Sequence, residues 1–213
     1  MDGGICGQGR NESTPVRVLV VNTYARSGGA SVAAGRLCRA LNAAGEEARL
    51  LVQNTEGIED SALRSTGDRW MRHRPLLDAL PTLAWRTRRS PHWGNAWLGN
   101  GATRNAIRNF APDVTHLHWV NHGMLSLRDM ERLKHPVVWT LHDSWAFTGG
   151  CHSPQECRNF ENRCGHCPEL CSRREQDPSR WNWNRKKAVW DNMDFTVIAP
   201  SRWLAERAAS SSL

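Results

Sequence analysis

Apolar positions along the chain fall into short continuous runs, each followed by a polar loop and then by apolar positions at helical spacing. Residues 16–22 (VRVLVVN), 49–53 (RLLVQ), 113–119 (DVTHLHW), 137–141 (VVWTL) and 195–199 (FTVIA) read as strands. Their β-branched and aromatic side chains suit a pleated, largely buried surface. Between them, residues 31–44 place Leu37 and Leu41 at i, i+4 with Gly45 as the stop signal. Residues 103–110, 125–133, 183–193 and 204–209 read as further helices, the last capped by Ser201. Strand alternating with helix predicts an α/β fold with a doubly wound, mostly parallel sheet over residues 16–213. Residues 54–68 are expected to form a loop, and residues 1–15, polar and Gly-rich, a disordered leader.

Candidate chemistry gathers where the run at 137–141 ends. His142 and Asp143 stand at that exit, and in open α/β sheets ligands bind outside the carboxyl ends of the strands. Thr148, Gly149 and Gly150 follow as a turn where backbone can approach a ligand, because glycine carries no Cβ. The loop after the first strand holds Gly28 and Gly29 ahead of a helix, so its N–H groups form either an anion site or a plain tight turn. It matches neither the dinucleotide fingerprint nor the P-loop pattern. His118 pairs with His116 on one strand face, and Asn121 follows at the exit; metal binding and ordinary polar contacts are both open to the histidines.

Residues 148–171 form a Cys-rich loop. Cys151, Cys157, Cys164 and Cys167 follow the pattern C-x5-C-x6-C-x2-C, with Cys171 as a fifth thiol. The C-x2-C half has zinc-knuckle spacing, so structural zinc stands against reduced thiols or a disulfide.

Charge adds an anionic partner: the chain carries a net +7 with a pI near 9.4. No apolar run approaches the ~18 residues of a membrane-spanning helix, and the N-terminal residues lack a signal-peptide core. A cytoplasmic protein with reduced cysteines is therefore expected. Eleven tryptophans against one tyrosine are either core packing or apolar surface for a sugar or lipid. Residues 69–97 are basic, Trp-bearing and broken by Pro75, Pro81 and Pro91, which reads as a peripheral membrane contact or a solvated basic face.

Several blocks together resemble one family. They are Gly28-Gly29; Asp113-Val114-x-His116-x-His118-Trp119; residues 139–152 (WTLHDSWAFTGGCH); Cys164-Gly165-x-Cys167-Pro168-x-Leu170; and Ala199-Pro200-Ser201-x-Trp203-Leu204. They look like the N-terminal domain of glycosyltransferase family 4, in the branch that builds bacterial exopolysaccharides such as colanic acid. The resemblance implies one Rossmann-like half of a GT-B fold. It also implies retaining transfer from a nucleotide-sugar donor to a glycan or lipid-linked acceptor, without a catalytic metal.

In such enzymes the N-terminal half holds the acceptor and the C-terminal half binds the nucleotide sugar, often through Glu-x7-Glu. Nothing here matches that motif, so the donor-binding half is expected to be missing and the chain to be inactive alone. The resemblance places His142 under the sugar–phosphate bond as the catalytic histidine. Asp143 then holds the loop or contacts acceptor hydroxyls, Gly28 and Gly29 supply N–H donors, and His118 and Asn121 take acceptor-side or structural roles. A basic zinc-binding nucleic-acid module and a non-catalytic sugar-binding half-domain are the alternatives. No nucleic-acid partner is expected of a transferase.

Overall fold

Val18 to Thr23 are all buried, so the first strand, β1 (Arg17–Tyr24), has protein on both faces. The computed structural model describes residues 14–54, 62–64, 73–85 and 93–213. The other strands are β2 (Glu47–Asn54), β3 (Ala62–Arg64), β4 (Val114–Leu117), β5 (Val137–Thr140) and β6 (Phe195–Ile198). The helices are α1 (Gly28–Ala43), α2 (Arg74–Ala79), α3 (Gly101–Phe110), α4 (Leu127–Glu131), α5 (Pro178–Trp190) and α6 (Arg202–Ala209).

The sheet runs β3-β2-β1-β4-β5-β6 with every neighbouring pair parallel. This is the Rossmann-like order, in which the chain moves outward one way from β1 and then returns to build the other half from β4. The crossovers leaving β1 and β4 diverge, and a crevice opens at the carboxyl ends of these two strands.

The predicted α/β architecture holds, with local corrections. β3 lies inside the stretch expected to be loop; three residues are too few to carry a periodicity. α5 begins at Pro178, five residues before the expected start at 183. Asp177 caps it by accepting from the Ser179 and Arg180 N–H groups, and proline occupies the first turn. Ser126 and Asp129 form a reciprocal capping box that starts α4 later than 125. Residues 1–13 of the expected leader lie outside the described residues. So do 69–72 and 86–92 of the basic segment, Arg86, Arg88 and Arg89 among them.

Tryptophans supply much of the core. Trp139 packs edge-on to Trp190 at 5.5 Å and beside Trp145 at 6.0 Å, and Trp93 and Trp183 are buried as well. Lys186 on α5 is fully buried; its ammonium lies 3.6 Å from the Trp145 ring centre and donates to the carbonyls of Trp145 and Thr148. The residues just beyond β5 are thereby tied to α5. Burial lowers the Lys186 pKa to about 7.

Candidate functional site at the sheet switch point

Where β1 and β4 end, Asn22 joins three elements. Its amide donates to the Tyr24 carbonyl at 2.7 Å and to Ser31 Oγ at 3.1 Å on α1, while its oxygen accepts from Trp119 N at 2.9 Å. Thr23 extends the seam, its hydroxyl donating to the Trp119 and Asn121 carbonyls. The crevice is thus held by buried, satisfied polar groups.

Above it lies an open pocket of about 430 Å³ lined by Tyr24, the first turn of α1 from Ser27 to Ala30, Trp119, His122, His142, Asp143 and His152. One wall is aromatic. Tyr24 stacks on Trp119 with ring centres 5.7 Å apart, and its hydroxyl lies 2.6 Å from His122 Nδ1. The opposite wall is the start of α1, where Ser27 makes no side-chain cap and no acidic residue stands in the first turn. Its N–H groups and helix dipole favour a negative ligand group.

Asp143 is fixed from three directions. His152 Nδ1 lies 2.6 Å from Oδ2, Trp119 Nε1 donates to the same oxygen at 2.8 Å, and Trp145 N donates to Oδ1 at 2.8 Å. Burial pushes its pKa up, but these hydrogen bonds outweigh burial and hold it below the ordinary carboxylate value. An ionised, fully engaged carboxylate is a poor general base and a good anchor for the loop.

His142 faces the pocket on one side and the protein on the other. Its Nε2 lies 2.8 Å from His118 Nδ1, and the His116, His118 and His142 rings stack in series at 4.8 and 5.0 Å. His116 and His118 do share one strand face. Their nitrogens, however, turn to Thr140 Oγ1 and to His142, and among the described residues no group of three or more His, Cys, Asp or Glu is arranged to hold a metal ion.

Burial, reinforced by the neighbouring histidines, lowers His118 to about 3, and burial lowers His116 and His142 as well. All three rings are therefore neutral at pH 7. Below about pH 6.5 the unfolded chain takes up protons that the folded rings refuse. Stability should thus fall as pH drops from about 6.5 toward 3, with His118 contributing up to about 1.4 kcal/mol per pH unit. Urea unfolding at stepped pH tests this: His118→Gln should flatten the dependence, and an unchanged slope would show that the ring is not held neutral.

Of the expected site residues, Gly28, Gly29, His142 and Asp143 meet in the pocket. His118 stands behind His142, buried. Asn121 is buried too, its side chain against Gly94 and its carbonyl bonded to Thr23. Thr148, Gly149 and Gly150 sit away from the pocket. A Cβ on Gly149 would stand 2.3 Å from the Ser179 carbonyl oxygen, and one on Gly150 2.5 Å from the Trp93 ring, so these glycines admit protein rather than ligand. Cys151, Cys157, Cys164 and Cys167 lie together outside the pocket as free thiols. Burial pushes Cys151, Cys164 and Cys167 up to about 12, which leaves them poor nucleophiles.

Tyr24, His122 and His152 were not among the expected site residues. The one tyrosine of the chain, placed at a strand exit, was the available signal for the first.

The model of Glycosyltransferase Family 4 matches residues 27–211. The chain belongs to glycosyltransferase family 4. It is also similar to an Escherichia coli (strain K12) protein, WcaC, named as a glycosyl transferase of colanic acid biosynthesis. The two are 26% identical over 165 residues, which cover 73% of this chain and 40% of that protein. No solved structure matches the chain. Family membership together with a six-stranded parallel sheet removes the alternative of a small zinc-binding nucleic-acid module. Among the described residues no helix is long and apolar enough to cross a membrane.

Proposed function

We propose that this family 4 domain is the acceptor-side half of a retaining glycosyltransferase that moves a sugar from a nucleotide-sugar donor to a glycan or lipid-linked acceptor in exopolysaccharide synthesis. One observation carries the reading: His142 and Asp143 open into the switch-point pocket opposite the first turn of α1 and beside the Tyr24–Trp119 stack. The stack suits a sugar face, and the uncapped helix start suits a phosphate oxygen.

His142 fills the role of hydrogen-bond donor near the reacting sugar. His118 Nε2 is buried without a partner, and an orphaned N–H costs more than an orphaned lone pair. His118 therefore carries its proton on Nδ1 and donates it to His142 Nε2, leaving His142 Nδ1–H to donate into the pocket. A neutral N–H aimed where charge develops on the leaving phosphate lowers the barrier without having to be deprotonated. Asp143 keeps that ring's loop in place.

Donor binding belongs, in this reading, to a second half, and the chain spans about 40% of the length of its curated relative. A peripheral membrane contact fits the exposed Leu76, Leu80 and Leu83, on α2 and the turn after it, together with exposed Trp97, whose Nε1 donates to the Leu77 carbonyl. Such a surface would bring the domain to a lipid-linked acceptor. The reading is tested by joining this chain to the C-terminal half of a family relative and following labelled sugar onto a lipid-linked glycan. Transfer with the donor's anomeric configuration preserved is the expected result, and inversion would remove the retaining assignment.

A further inference from the structure

The pocket holds a proton acceptor that the His142 chemistry does not use. His152 Nδ1 lies 2.6 Å from Asp143 Oδ2, and that carboxylate is held ionised by its other donors, Trp119 Nε1 at Oδ2 and Trp145 N at Oδ1. An ionised carboxylate only accepts, so the single proton of a neutral His152 ring sits on Nδ1 and the lone pair on Nε2. Nε2 has no hydrogen-bond partner among the described residues. Unlike His118 Nε2 it is not sealed in protein, and His152 lines the pocket. A lone pair is what this ring presents there.

Anchoring the loop does not call for the imidazole. Ser144 N already donates to the His152 carbonyl at 2.9 Å, and Thr148 Oγ1 donates to the Cys151 carbonyl at 2.7 Å. Asp143 keeps its bonds from Trp119 and Trp145 without His152. The His152 ring is only 9% exposed and lies 5.5 Å from the Trp119 ring, so packing and one hydrogen bond fix its direction before any ligand arrives. A group held so needs no reorganisation at the moment of reaction. His142 Nδ1–H donates into the same pocket, and the two histidines thus offer one donor and one acceptor.

We propose that His152, oriented by Asp143, is the catalytic base that takes the proton from the attacking hydroxyl of the acceptor. The proposal rests on the reading of this pocket as the acceptor side of a sugar transfer. The acceptor O–H gives its proton to Nε2 as its oxygen bonds the anomeric carbon of the nucleotide sugar. The anomeric C–O bond to phosphate breaks, and its electron pair leaves with the phosphate; nothing is oxidised or reduced. Asp143 stabilises the imidazolium without taking its proton, and the ring returns to neutral by passing the Nε2 proton to the departing phosphate or to water.

Two measurements test it. In the 213-residue chain with 15N-labelled histidine, NMR in mildly alkaline buffer should find the His152 proton on Nδ1 and none on Nε2, the signal being assigned by its loss in His152→Asn. The second follows transfer to a lipid-linked glycan by the chain fused to a family relative's donor-binding half. His152→Asn keeps an N–H where Nδ1 stood, and with it the bond to Asp143, but has nothing at Nε2. It should lower kcat by about 10²–10⁴, as much as His152→Ala does, with the acceptor KM little changed. Wild-type rates in His152→Asn with loss only in His152→Ala would make the ring an anchor and overturn the proposal, as would a proton on Nε2 of the wild-type chain. A folded wild-type fusion that transfers nothing would overturn the acceptor-side reading and the proposal with it, so the two failures are told apart. Where both variants fail to fold, the wild-type tautomer decides.

Discussion

Alanine at position 142, in this chain joined to a donor-binding half, is expected to lower kcat by about 10²–10³, the usual cost of removing one donor aimed at developing charge. KM for the acceptor should change little, because the aromatic wall of Tyr24 and Trp119 remains. The fold should survive, since among the described residues the His142 ring is held by His118 Nδ1 at 2.8 Å and by ring stacking. His118→Gln separates the two roles: it keeps a polar side chain behind His142 but no longer sets the proton on its Nδ1. A smaller loss of kcat with a displaced pH profile should follow. Full activity of the His142→Ala enzyme would leave the pocket in place and remove that residue from the chemistry.

The second large effect is on stability. Gly149→Ala should cost about 3 kcal/mol, because its Cβ would meet backbone, the Ser179 carbonyl oxygen at 2.3 Å, and backbone cannot swing aside as a side chain can. Gly150→Ala adds a left-handed φ of 138° to a 2.5 Å clash with the Trp93 ring, so its cost should be at least as large. Gly28→Ala is the contrast: φ is 84° but no atom lies within 4 Å, so only the backbone strain of about 1–2 kcal/mol applies. Urea midpoints for the three variants would show this order, and a neutral Gly149→Ala would mean that the loop and α5 are not in contact as described.

The contrast among these glycines shows what was legible in the chain and what was not. The main strands and helices could be read because burial on both faces writes continuous β-branched runs, as in Val18–Val21, and helical spacing survives in Leu37 and Leu41. β3 could not, being three residues long, and the start of α5 was hidden because its first turn is capped and polar rather than periodic. Gly28, Gly29, His142 and Asp143, which line the pocket, were legible as candidates because each follows a legible strand.

Tyr24, Trp119, His122 and His152 meet only through the pairing of β1 with β4 and the return of the loop after β5, and neither leaves a local pattern. Thr148, Gly149 and Gly150 carried a signal with two physical meanings, since glycine permits close approach without naming what approaches. Here the close neighbours are Ser179 and Trp93.

The central claim is that this domain holds the acceptor while a second half brings the nucleotide sugar, and side-by-side transfer assays test it most directly. One compares the 213-residue chain alone with the same chain fused to a family relative's donor-binding half, each given nucleotide sugar and lipid-linked acceptor. Since positioning two substrates supplies on the order of 7–11 kcal/mol of barrier lowering, the account predicts product from the fusion and none above background from the chain alone. Robust transfer by the chain alone, or none by a folded fusion that binds both substrates, would contradict it.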